Sequence, residues 1–189
     1  QAKMLNNSTF EFAFSGTDSK LVGLLMGGLF SGNIIMDGAA NNGLALLTFM
    51  GQKKAIKMSS DEIKKAQVST SDLDKMKLTP ISGTQKVAGY TCKKIMMTSP
   101  NNTKVKTIVY VCEQIKPESG GYVDGLIKKF NGFPLGFEII ADTDKVKIMA
   151  SEVSTKLPKK SDFKQVITDV YEEKTIEKLR DELGGNLGE

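Results

Sequence analysis

At 189 residues the chain is long enough to bury a core without staples, and its 40% hydrophobic and 25% charged content is that of a globular protein. It has no histidine, no tryptophan and two cysteines, which removes the commonest general base, the serine-type triad and imidazole-based or all-thiolate zinc sites. The net charge of +4 is uneven: residues 171–189 carry −3, and the rest carries +7 from 23 lysines against 16 acids.

Arg180 is the only arginine. Specific readers of nucleic acid use the guanidinium fork, and stacking binders need clustered aromatics. The lysine pairs 53–54, 93–94, 128–129 and 159–160 are scattered one to a segment, as solvated lysines that keep strands soluble would be. Nucleic acid is not expected as a partner.

Along the chain, "STFEFAF" (8–14) alternates Phe10, Phe12 and Phe14 with Thr9, Glu11 and Ala13, the pattern of a half-buried strand. The preceding "QAKMLNN" has no hydrophobic region. A start at Gln is what removal of an export signal would leave. Residues 21–36 then carry no charge and four glycines, and Asp37 is the only charge between Leu21 and Gln52. A membrane helix needs about 20 apolar residues, and each interior glycine costs a helix ~1 kcal/mol relative to alanine. The stretch is therefore expected as a short helix or flexible loop, with Leu21, Leu24, Leu25 and Leu29 on one side and Met26 and Phe30 on the other. It can be core, a mobile apolar lid, or a membrane-contacting loop. As a lid, residues 21–30 would place Leu25, Met26, Leu29 and Phe30 against an apolar ligand.

"NIIMDGA", "LALLTFM" and "KKAIKM" predict short strands joined by the turns "ANNG" and "GQ". "SSDEIKKAQ" (59–67) predicts a short helix capped by Ser60. "YTCKKIMMTS" and "KVKTIVYVCEQI" flank the turn "PNNT" and form the clearest hairpin in the chain. "YVDGLIKKFNG" predicts a helical turn ended at Asn131-Gly132, and "PLGFEIIA" and "KVKIMASEVSTK" predict a second hairpin about "DTD", in which Asp142 and Asp144 are turn formers. A final helix is expected over about 169–183, with Asp169 as its cap and Glu172 and Glu173 in its first turn, followed by a loose tail over 184–189. Short strands at this spacing predict an α+β fold: a curved antiparallel sheet, or half-barrel, covered by a few short helices, as one domain over 1–183.

Cys92 and Cys112 lie equally far from Asn102 in the first hairpin and so face one another. Facing positions have Cβ atoms ~4.5–5.5 Å apart, within reach of a disulfide after slight closing. A bond implies an oxidising compartment; two buried thiols would suit a reducing one. A catalytic cysteine would lack a partner base.

The run "GTQKVAGYTCKKIMM", the strand "TIVYVCEQI", then "FNGFPLGFEI" and "KVKIMASEVS" resemble a family of exported bacterial proteins known as domain of unknown function 4412. Gly89, Tyr90, Cys92, Lys93 and Lys94 carry the first motif, and Gly132, Pro134 and Leu135 the third; Cys112 departs from a pattern that favours an aromatic there. The likeness covers about residues 80–155. It implies a periplasmic or outer-membrane-associated protein of a Gram-negative bacterium, with a fold similar to the lipoprotein-carrier group. It supplies no enzyme activity and no catalytic residues, and no cofactor is expected. The expectation is an exported, non-enzymatic binding protein whose half-barrel holds an apolar ligand, a lipid or a lipidated protein, with peripheral membrane contact also open to it. The alternative is an envelope interaction protein with a filled core.

Overall fold

A computed structural model describes residues 8–66, 70–118, 124–141, 144–156 and 158–182. The N-terminal "QAKMLNN", Asp142 and the tail 184–189 lie outside the described residues. Where the sequence suggests one domain over 1–183, the chain divides into two compact units, one built from 3–64 with 158–189 and the other from 65–157. Each has its own sheet, so the single curved sheet expected from strand spacing is two sheets.

The first unit opens with a five-stranded antiparallel meander: β1 (Thr9–Ser15), β2 (Asp18–Leu25), β3 (Phe30–Asp37), β4 (Asn42–Phe49) and β5 (Gln52–Met58). The uncharged stretch is therefore a hairpin of two regular strands, which corrects the expected short helix or loop. Its turn, Met26–Gly28, has three consecutive positive φ values of 55°, 68° and 97°. No helix continues through that backbone, and two of its three positions are glycines, for which it is cheap. β4 and β5 join through Met50 and Gly51, again both at positive φ, the two-residue turn whose twist matches the flanking strands.

Helix α1 (Ser60–Ala66) follows. Its cap is Ser59, one residue earlier than expected: the Glu62 amide donates to Ser59 Oγ at 3.4 Å, and the Ser59 amide donates to Glu62 Oε2 at 2.8 Å. This reciprocal box satisfies two backbone donors left free at a helix start. A second short helix, α2 (Thr70–Lys75), has no counterpart in the sequence reading.

The second unit holds β6 (Lys77–Val87), β7 (Tyr90–Ser99), β8 (Asn102–Cys112), α3 (Asp124–Phe130), β9 (Phe133–Ala141) and β10 (Asp144–Met149). The order is β10-β9-β8-β7-β6, antiparallel throughout. One face is its core: Val109 and Val111 pack with Phe130 of α3, flanked by Leu78, Ile95, Met97, Leu126 and Phe137. The "FNG" stop of α3 comes from Asn131, which takes a positive φ of 54°, and Gly132 follows because a Cβ there would lie 2.7 Å from the Cys112 carbonyl oxygen. Both outer strands carry features that discourage further pairing: Pro80 and a bulge between Ile81 and Thr84 on β6, Lys145 and Lys147 on β10.

The chain then returns to the first unit. A 3-10 turn at Lys160–Phe163 packs on β2 and β3 with Phe163 buried. Residues Glu172–Lys174 form β11, parallel to β5, rather than the first turn of a helix. The reason is ionic as well as local: Glu172 pairs with Lys54, and Glu173 meets Lys57 at 2.8 Å, directly across from β5. The last helix, α4 (Ile176–Glu182), starts only after Thr175, whose Oγ1 accepts from the Lys178 amide at 3.3 Å. The fold is thus mostly antiparallel β, with a few short helices. Among the described residues no helix is long and apolar enough to cross a membrane.

Candidate functional site

Antiparallel partners share a face, so the register of the first sheet sorts its side chains. Four rows cross one face: Leu25, Phe30, Phe49 and Gln52; Phe10, Gly23, Gly32, Leu47 and Lys54; Phe12, Leu21, Ile34, Ala45 and Ile56; Phe14, Ser19, Met36, Gly43 and Met58. From β1 to β4 these rows contain no charge, and Lys54 on β5 is held by Glu172.

Burial rises along the rows. At the closed end Met36, Met58 and Ala45 are buried, and the two methionines lean over Gly43, whose Cβ would meet Met36 Sδ at 2.8 Å and Met58 Cε at 2.9 Å. At the open end Phe10, Phe12 and Phe49 are 44%, 38% and 49% exposed, and Leu25, Phe30 and Leu47 are half-buried. The Phe30 and Phe49 rings pack tilted at 6.3 Å. Gly23 and Gly32 are direct partners, so the second row has backbone for its floor in the middle. Phe10 lies beside this gap on one side and Leu47 on the other, each 3.4 Å from where a glycine Cβ would stand.

The four residues singled out by the sequence come together here. Leu25 and Phe30 are direct partners at the end of the hairpin, and Met26 and Leu29 lie in its turn, 43% and 52% exposed. The Met50 amide donates to the Leu29 carbonyl at 3.2 Å, which seats the two apolar hairpin turns side by side. Sequence reasoning missed Leu47, Phe49 and Met50, and saw Phe10 and Phe12 only as one side of a strand.

The opposite face of this sheet is covered differently. Gln165 donates to Asn42 Oδ1 at 2.8 Å, and Lys53 Nζ lies 5.8 Å from the Tyr171 ring centre, so the returning segment lies on that side. The exposed large apolar side chains of this unit are Phe10, Phe12 and Phe49 on the first face, Met26, Leu29 and Met50 at its turns, Leu24 on the opposite face, and Val166 and Val170 on the returning segment.

Two further clusters lie in the second unit. Cys92 and Cys112 are both free thiols and fully buried. The turn closes at Ser99–Asn102 rather than about Asn102, and the register shift between Thr98 and Ser99 gives the pairing that, continued past Lys93–Val111, sets them opposite one another. Burial, with Cys112 beside it, pushes the Cys92 thiol up to about 11. The Cys92 thiol is therefore unfit for nucleophilic attack at neutral pH in the folded sheet. The second cluster centres on the buried Glu138, whose Oε1 lies 2.6 Å from Lys145 Nζ and whose Oε2 accepts from the Tyr110 hydroxyl at 3.0 Å. The hydrogen bond from Lys145 holds Glu138 below the ordinary carboxylate range against the opposing effect of burial. Burial, and next its bond to Glu138, raises the Tyr110 hydroxyl. Lys147 Nζ stands 5.6 Å from the centre of the Tyr110 ring. The carboxylate is paired and hydrogen-bonded, as a buried charge must be. Asp144 opens β10. Among the described residues no group of three or more Cys, Asp or Glu is placed to hold a metal ion.

No family model matches the chain, and no curated protein matches it. Among solved structures it is similar to MucB at 14% identity and a TM-score of 0.38, over 87% of this chain and 60% of that one. It is also similar to PNGF-II at 16% identity and a TM-score of 0.38, over 92% of this chain and 32% of that one. The chain thus spans less than two thirds of the length of either structure.

Proposed function

We propose that this is an exported, non-enzymatic binding protein that holds an apolar ligand, of the acyl-chain class, on the open face of its first sheet. The observation that carries the reading is the set Phe10, Phe12, Leu25, Phe30, Leu47 and Phe49. These residues lie on one face, uncharged from β1 to β4 and more exposed toward one end. Soluble monomers rarely leave large contiguous apolar patches uncovered unless the patch binds something. An apolar face with a backbone-floored gap at Gly23 and Gly32 suits a slender, flexible, uncharged chain better than a polar ligand. Met26, Leu29 and Met50 rim its open end with side chains that adapt to varied shapes. The exported compartment is part of the proposal: it rests on the motif resemblance read over about residues 80–155, which no family model matches, and on the disulfide proposed below for the two cysteines that are free thiols in this structure. The half-barrel would be the curved form of this sheet around its ligand.

Native mass spectrometry of gently purified full chain, with lipid extraction in parallel, tests the reading. A co-purifying species of lipid mass, or saturable uptake of added palmitate at one per chain, is expected. A chain that carries no lipid and takes up no palmitate, lysophospholipid or acylated peptide would favour the other reading, an envelope interaction protein with a filled core.

A further inference from the structure

The second sheet holds a feature that ligand binding on the first does not use. The pairs Lys93 with Val111 and Thr98 with Lys106 fix the β7–β8 register, and its continuation sets Cys92 opposite Cys112. The two residues sit on inner strands of the five-stranded sheet, and each is 0% exposed. The Cys92 thiol donates to the Tyr90 carbonyl oxygen at 3.8 Å. Facing Cβ atoms in such a pair stand ~4.5–5.5 Å apart, and a disulfide needs about 3.5–4.5 Å, so bonding asks for a closing of roughly 1 Å.

We propose that Cys92 and Cys112 are joined by a cross-strand disulfide that is made before the second sheet closes, and that the closed sheet then shields it. The oxidant is an external disulfide. One cysteine thiolate attacks it and forms a mixed disulfide, releasing one thiol of the oxidant. The second cysteine thiolate attacks the protein sulfur of that mixed disulfide and releases the other. The two protons lost by the cysteines pass to the two released thiolates, and the two electrons pass to the oxidant, which leaves reduced.

The order of events follows from access. In the folded sheet neither sulfur touches solvent, and a thiol raised to about 11 is ionised some hundreds of times less often at neutral pH than a free cysteine. An oxidant therefore meets these thiols in the open chain. The same shielding protects a bond already made from reductants. The competing possibility is a pair of permanent thiols that simply fill space.

The test uses the full chain in two preparations. One is unfolded in guanidinium with a mixture of oxidised and reduced glutathione and then diluted to refold; the other is folded first in reductant and then given the same mixture. Alkylation without reduction and intact mass follow both with time. The expected result is that the first preparation loses the mass of two hydrogens, carries no glutathione and regains its β-sheet circular dichroism. The second should keep two alkylatable thiols at least about 100-fold longer. A Cys112→Ala chain, assayed unfolded, should stop at one glutathione on Cys92, which shows that the oxidant reaches the sulfur. The proposal is overturned if the wild-type chain ends with glutathione adducts only, if the oxidised chain does not regain the sheet, or if the folded chain oxidises as fast as the unfolded one.

Discussion

Phe49→Ala separates a binding face from an ordinary core. Phe49 ends β4, is 49% exposed and packs its inner edge on Phe30. A phenylalanine side chain presents ~200 Å² in all, so roughly 100 Å² remains for a ligand to cover. At about 25 cal/mol per Å² that area is worth about 2.5 kcal/mol of binding, or about 60-fold in Kd. The buried half and the ring contact with Phe30 are worth about 1.5–2.5 kcal/mol of stability, against ~3–5 kcal/mol for a fully buried phenylalanine. Val109→Ala provides the contrast, because Val109 is 0% exposed in the other unit. It should lose about 2–3 kcal/mol of stability and leave ligand affinity where it was. Isothermal titration with palmitate and urea denaturation of the three proteins measure both quantities. The reasoning is refuted if Phe49→Ala shifts Kd by less than about threefold, or if Val109→Ala weakens binding as much as Phe49→Ala does.

Glu138→Leu should destabilise by about 1–3 kcal/mol in urea melts, because it strands the buried Tyr110 hydroxyl while the exposed Lys145 simply rehydrates; adding Tyr110→Phe should recover much of the loss. Glu172 is held at about 2 by Lys174 first and Lys54 second, against an ordinary 4.5. A depressed carboxylate stabilises above its unfolded value and loses that contribution as pH falls through the folded one. Intrinsic-rate-corrected amide exchange at 172–174 should therefore stay flat from pH 7 to 5 and rise between 4.5 and 2. With the disulfide in place, reducing it in the unfolded chain should cost about 3 kcal/mol on refolding, since it closes a loop of about 20 residues; equal melts of oxidised and reduced protein would count against the bond. Amides within β2 and β3 should exchange slowly and those of the Met26–Leu29 turn quickly, a contrast that a mobile flap over all of 21–30 would not give.

The strands were legible wherever alternation met turn chemistry. The Phe10-Phe12-Phe14 stripe, the "PNNT" hairpin and the "FNG" stop all stand in the fold near their expected places. The uncharged stretch misled because continuous apolar sequence has no period: a strand apolar on both faces and a greasy helix look alike until pairing partners are known. Its glycines were read as flexibility, whereas Gly23 and Gly32 face each other beneath Phe10 and Leu47, and Gly27 and Gly28 make a tight turn. The C-terminal helix was placed too early because Glu172 and Glu173 suit a helix start, and nothing local reveals Lys54 and Lys57, more than a hundred residues away. The division into two units was invisible for the same reason, since no change in composition marks it. The candidate face was half legible. Leu25, Met26, Leu29 and Phe30 stood out by lack of charge, but Phe10, Leu47 and Phe49 join them only through register.

The most direct test of the binding face is to find where an apolar ligand lands. A palmitate analogue with a diazirine near its terminal methyl, irradiated with the full chain and mapped by peptide mass spectrometry, reads the contact residues. Adducts should concentrate on peptides carrying Phe10–Phe14, Leu21–Ile34 and Leu47–Met50, and excess unlabelled palmitate should remove them. Adducts confined to residues 77–149, or spread over both units and indifferent to competitor, would contradict the account.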